Sequence, residues 1–323
     1  LRTTLIALAV VSATATAREP LVLEQRIALN DVSGRIDHLA LDEKHRRLFV
    51  AELGNNSVDV IDLDARKPLR RLSGIPQPQG VGYAAASDTL CAASAGDGAL
   101  HLFSGRELSR VGTIALGSDA DNVRVDASGS LVYVGYGDGA IAIIDTASRR
   151  RLADITLPTH PEGFQLDAEG KHIYINLPEK HAIAIADLAS NTVSAQIPLR
   201  ERGENFPIAL DATRQRLYIA LRNPGKLIAY ALQAETKQAA VDSCNDADDI
   251  FVDAKRERTY VSCGDGYIDV FSLRDKPERI AHVRSAPGAR TSLFVAELDE
   301  FFVAVRASAG QGAAIWIYRP RDD

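Results

Sequence analysis

Five apolar segments of this 323-residue chain each end on an aspartate, and Asp42, Asp126, Asp167, Asp211 and Asp253 stand 84, 41, 44 and 42 residues apart. The double gap holds a further copy, QGVGYA ending at Ala84, and TSLFVA ending at Ala296 makes a seventh. A repeat of about 42 residues means propeller blades or a helical solenoid, because each such unit buries its faces only against its neighbours.

The text between the anchors decides for strands. Each anchor is followed by a turn and a second apolar run, such as RLFVAE, LVYVG, HIYIN, RLYIA, RTYVS and FFVAV, rich in β-branched and aromatic residues. The next turn carries Gly-Asp-Gly at 96–98, 137–139 and 264–266, or Gly-Asn-Asn at 54–56, residues that tolerate the positive φ of a tight hairpin. A third strand alternates (VDVID, AIAIID, IAIAD, YIDVF), and a weaker fourth closes most units (LADITLP, ERIAHVR). Four antiparallel strands per unit predict an all-β fold, a seven-bladed β-propeller. The last unit lacks its fourth strand. PLVLEQRIAL, residues 20–29, is placed to supply it, closing the ring and removing two open edges.

The first 17 residues, LRTTLIALAVVSATATA, combine one Arg, a short apolar stretch and Ala15-Thr16-Ala17. This is the pattern of a secretory leader cut after Ala17, with an apolar part too short to span a bilayer. The expected organisation is a signal peptide, 1–17, followed by one domain, 18–323, in the periplasm or secreted, with no membrane span after cleavage. Export permits a disulfide. Cys244 and Cys263 fall at the same end of blade six, on the connection into its first strand and on its second hairpin, so a bridge and a pair of separate buried thiols are both open; Cys91 is expected free. A formal net charge of −6, with no basic run among aromatics, argues against nucleic acid. A monomer is expected.

GNNSVDVIDL, with RLFVAE before it, resembles the repeat of the YVTN or YncE-like seven-bladed β-propellers of bacterial envelopes, and all seven units fit that pattern loosely. The resemblance implies a fold and leaves function open, because propellers host binding proteins, scaffolds and enzymes alike.

Counting five residues back from each anchor gives Asp37, Gln79, Asp121, Glu162, Phe206, Asp248 and Thr291, one residue per blade at the head of the innermost strand. Such residues ring the mouth of the central channel. The following position adds His38, Asn122 and Asp249 with Gly80 and Gly163, while Asn205 and Arg290 stand one residue earlier. Polar residues at a wet mouth can serve turn geometry alone. Four acids in equivalent places nevertheless repel unless a cation, a proton or a polar ligand offsets them. The expected ligand-binding set is therefore Asp37, His38, Gln79, Asp121, Asn122, Glu162, Asn205, Asp248, Asp249 and Arg290, taking a small polar ligand or a protein partner.

Asp37, Asp121, Glu162 and Asp248 offer hard oxygens suited to calcium or another divalent cation, whereas His38 and His160 would favour a transition metal. The alternative function is a metal-assisted hydrolase, similar in arrangement to gluconolactonase-type lactonases, with Glu162 or Asp248 as general base. Arg290 is the one cation expected near the ring. His45, His101, His172, His181 and His282 are expected in solvent, and Arg149 to Arg151 on a surface hairpin. No nucleophile elbow, zinc-protease motif or phosphate loop is present.

Overall fold

The computed structural model describes residues 19–234 and 236–322. Seven four-stranded sheets follow one another, each built from strands consecutive in the chain except the last. Blade one comprises Leu39–Asp42, Arg47–Glu52, Ser57–Asp62 and Lys67–Ser73, and its second and third strands are buried while its fourth is largely exposed. Helical structure among the described residues amounts to single 3₁₀ turns at Leu53–Asn55, Ala85–Ser87 and Pro178–Lys180. The expected leader, 1–17, lies outside the described residues.

Ring closure occurs as the sequence predicts. Leu21–Ala28 pairs antiparallel with Ala314–Pro320, from Leu21 opposite Pro320 to Ala28 opposite Ala314, and completes blade seven. The energetic reason lies in where the apolar residues go: seven buried clusters each straddle one boundary between neighbouring blades. Phe49 and Val60 of blade one meet Val81, Leu90 and Phe103 of blade two. Ile27, Phe302 and Ile315 of blade seven meet Leu48 and Val50 of blade one. No blade covers its own faces, so losing one boundary exposes two.

The repeated anchor aspartates have a local cause. Each carboxylate accepts backbone N–H groups of the turn that follows: His45 on Asp42 at 3.0 Å, Ser130 and Leu131 on Asp126 at 2.9 and 2.8 Å, Lys171 and His172 on Asp167 at 2.7 and 3.0 Å. Arg214 on Asp211 at 2.9 Å and Arg256 on Asp253 at 3.1 Å complete the series. The turn between first and second strands has N–H groups that no ladder satisfies, and an Asp at that point satisfies them.

Cys244 and Cys263 form a disulfide with Cα atoms 5.9 Å apart, while Cys91 is a buried free thiol whose pKa burial pushes up to about 12. Phe206-Pro207 interrupts its strand as a register shift between Asn205 and Ile208. One expectation is corrected: His101 is buried, with Nε2 3.0 Å from Asp97, because its strand is the interior third strand of blade two. Arg149 does occupy a turn, with φ of 57°, and Arg151 pairs with Asp154 at 2.6 Å.

Candidate functional site

A β-bulge at the head of the innermost strands sets the mouth. In blade one the Asp37 N–H donates to Ala51 O at 2.7 Å and the Ala51 N–H donates to His38 O at 3.0 Å, so two residues oppose one. Blades three and four repeat this with Asp121-Asn122 opposite Gly135 and Glu162-Gly163 opposite Asn176. Blades two, five and six show a one-residue register shift at the same place. A bulge re-aims a side chain that the strict alternation of a strand would bury between blades. The adjacent glycines serve packing: a Cβ on Gly80 would lie 2.0 Å from Asp121 O, and one on Gly163 2.6 Å from Phe206 O. Each close approach brings neighbouring blades together.

The mouth cavity, about 440 Å³, is lined by His38, Gln79, Asp121, Glu162, Asp248 and Arg290 from the expected set. Beside them stand Arg35, Gln77, Asp119, His160 and Arg222. The single expected cation is corrected to three arginines and a charged histidine. Arg290 Nε lies 2.9 Å from Asp248 Oδ2, and Arg222 donates to Asp248 Oδ1 while its guanidinium carbon sits 3.3 Å from the Phe206 ring centroid. Asp246 joins the same knot through Arg290 at 2.7 Å. Arg35 approaches Asp37 Oδ2 to 2.6 Å as an ion pair, without the alignment of a hydrogen bond.

The sequence writes Asp-Ala-Asp at both 119–121 and 246–248, and the two copies have different fates. Asp246 and Asp248 hold arginines. Asp119 and Asp121 hold none: Asp119 is met by Gln79 Nε2 at 3.3 Å, and Asp121 Oδ1 is buried with no hydrogen-bond partner. Both carboxylate oxygens of Asp37 are likewise buried without a hydrogen-bond partner.

Protonation offsets part of the crowding. Burial pushes Glu162 up to about 9, with Asp121 and Asp248 adding to it, so the carboxyl is protonated at neutral pH. Burial raises Asp37 to about 6 against His38 and Arg35, and raises Asp121 in the same direction. His38 runs the other way: burial opposes its charge, but Asp249 at 3.5 Å, then Asp37 and Asp248, lift it to about 10. Neither candidate general base is poised as one, since Glu162 keeps its proton and Asp248 is clamped by two guanidinium groups.

Other expected residues fall beside or below the mouth. Asn122 and Asp249 line the channel beneath it, and Asp249 Oδ2 also accepts the Ser292 N–H at 2.8 Å. Asn205 is fully buried and braces blades four and five, donating to Asn176 Oδ1 and Ala182 O, each at 2.9 Å. His160 donates from Nδ1 to Gly137 O at 2.6 Å, and the same nitrogen lies 3.9 Å from Asp119 Oδ2. The four acids proposed for a divalent cation do not gather. Among the described residues the one group of three or more ligand atoms within 4.8 Å of each other is Cys244, Cys263 and Asp265, and its cysteines are bonded together.

Sequence reasoning missed Arg35, Asp119, Asp246 and Arg222. The first three stand two residues ahead of the counted ring, so extending the column by one period of the strand would have found them. Arg222 ends the second strand of blade five, whose hairpin reaches the same end of the ring.

Fold and site together define a seven-bladed β-propeller with a charged channel mouth. Among solved structures, hydrazine synthase of Kuenenia stuttgartiensis superposes with a TM-score of 0.80 over 91% of this chain and 97% of that chain, at 14% identity. At that identity the likeness shows the fold alone. No protein-family model and no curated protein matches the chain.

Proposed function

We propose that this chain is an exported binding propeller of the YVTN or YncE-like kind, whose channel mouth takes a small polar ligand carrying hydrogen-bond donors. The observation that carries the reading is Asp121 Oδ1, a buried carboxylate oxygen in the lining of the mouth that no donor of the protein satisfies. Burying such an acceptor unpaired costs about 1–3 kcal/mol, more when charged. A ligand ammonium, amide or hydroxyl would recover that cost. The mouth volume of about 440 Å³ suits a small molecule. A protein partner would engage the same rim through one inserted side chain, with Lys as its natural donor. In support of export, the bonded cysteine pair suits an oxidising compartment, and no helix among the described residues is long and apolar enough to cross a membrane.

Calorimetric titration with ethanolammonium chloride and, separately, calcium chloride tests the reading. Saturable heat from ethanolammonium that disappears in Asp121→Asn supports a donor-bearing organic ligand. Response to calcium alone, lost in the same variant, would replace it with a divalent-cation site, and heat from neither would overturn it.

A further inference from the structure

Below the mouth lies a second cavity of about 420 Å³ to which every blade contributes. Strand register places Ala40, Gly82, Arg124, Gln165, Ala209, Phe251 and Leu293 at one level of the seven innermost strands, each opposite the aromatic or Cys91 of its second strand. Five of the seven are small or apolar. Arg124 is the one charge at that level.

Its surroundings do not neutralise it. Arg124 donates from Nη1 to the carbonyl of Val123 at 2.9 Å, and its guanidinium carbon lies 5.7 Å from the Phe164 ring centroid. No carboxylate among the described residues forms an ion pair with it. Burial pulls its pKa below the usual arginine range, while Asp249 and Asp121 oppose that from a distance. The other ionisable groups facing this cavity already have partners or protons: His38 with Asp249, Asp248 with Arg222 and Arg290, and Glu162 as the neutral acid. Arg124 is therefore, among the described residues, the one charge lining this cavity that has no ion-pair partner. Arg124 is half-buried, and a guanidinium with free N–H donors presents the planar fork that a carboxylate fits.

We propose that the channel cavity is a second site, one that takes a short organic carboxylate, with the carboxylate on Arg124 and the apolar body against Val81, Val125, Ile250 and Leu293. The walls select the body. Val, Ile and Leu surfaces offer nothing to the outer oxygens of phosphate or sulfate, whereas a single carboxylate on a small hydrocarbon matches one fork in an apolar chamber. His38, Glu162, Phe206 and Asp248 border both cavities, which makes the mouth the approach to the chamber. The inference does not rest on the mouth's own ligand.

Isothermal calorimetry with sodium propionate, propionamide and sodium phosphate at matched ionic strength tests it on the whole protein. Propionate should bind saturably, propionamide and phosphate should not, and Arg124→Met should weaken propionate by about tenfold or more, the worth of a charge-assisted pair. Arg124→Lys, which keeps the charge and loses the fork, should fall between parent and Arg124→Met, and it carries the test if the Met variant melts early by circular dichroism. Absence of saturable heat with propionate, equal binding of propionamide, or propionate binding unchanged in both variants would overturn the proposal. Neither propionate nor Arg124 enters the ethanolammonium titration, so the two sites fail separately.

Discussion

Asp121 and Asp248 hold equivalent places at the heads of blades three and six, yet Asp248 is clamped between Arg222 and Arg290 while Asp121 Oδ1 is buried without a donor. The repeat supplies the same bulge in both blades. What differs is the neighbour: blade five ends its second strand on Arg222 and blade seven begins on Arg290, whereas blades two and four offer Gln79 and Glu162. One side of the mouth is a structural ion knot, and the other presents acceptors.

Ring closure should dominate stability. Ile27 is buried at the boundary between blades seven and one, and Ile27→Ala should cost about 2–5 kcal/mol, while deletion of residues 20–29 should abolish the cooperative transition of the parent. Urea unfolding followed by tryptophan fluorescence reads both, since Trp316 lies in the strand that Leu21–Ala28 pairs with. A deletion variant that unfolds like the parent would contradict closure.

The disulfide should leave one reactive thiol, Cys91, when the unreduced protein is unfolded and titrated. Replacing Cys244 and Cys263 by Ser should lower stability by about 3 kcal/mol, the loop-closure value for a link spanning 19 residues. Three titratable thiols in unreduced protein would contradict the bond.

Glycines at the bulges should be intolerant for steric reasons. A methyl on Gly80 meets the Asp121 carbonyl at 2.0 Å, so Gly80→Ala should destabilise by about 1–3 kcal/mol or more. Gly112 meets only side chains at 3.7 Å, and Gly112→Ala should be neutral or mildly stabilising. Thermal melts of the two variants compare them directly.

Stability should fall as pH rises from mildly acidic to mildly alkaline. Burial raises Glu52, hydrogen-bonded by Ser57 and beside Asp59, from 4.5 to about 8. A carboxyl with a raised folded pKa binds its proton more tightly folded than unfolded. Its contribution is therefore complete below the unfolded value and is lost as pH climbs through the folded one. Glu162, raised to about 9, adds the same sign. Unfolding midpoints of Glu52→Gln should lie above the parent at alkaline pH and converge with it toward pH 4.5; parallel curves would contradict the assignment.

The fold was legible because the anchors, hairpin glycines and alternating strands agree on one period, and because the missing last strand had a single candidate. The site was half legible. Counting back from Asp42, Asp126, Asp167 and Asp253 located the rim and its neighbour Arg290, but Arg222, the second arginine on Asp248, comes from a strand the count did not include. Asn205 was misplaced for a different reason: it stands one residue ahead of the counted column, and beside the shift at Phe206-Pro207 its amide enters the boundary between blades. Whether a polar residue faces the mouth is decided by a bulge, and the residues flanking a bulge carry no fixed signature.

The central claim, that the acids of blades three and six differ in purpose, is tested most directly by urea unfolding of Asp121→Asn and Asp248→Asn at neutral pH. Asp248→Asn leaves two guanidinium groups short of a partner and should lose about 2–5 kcal/mol. Asp121→Asn replaces a carboxyl whose buried Oδ1 no donor satisfies and should match or exceed the parent. Equal losses in the two variants, or a larger loss in Asp121→Asn, would contradict the account.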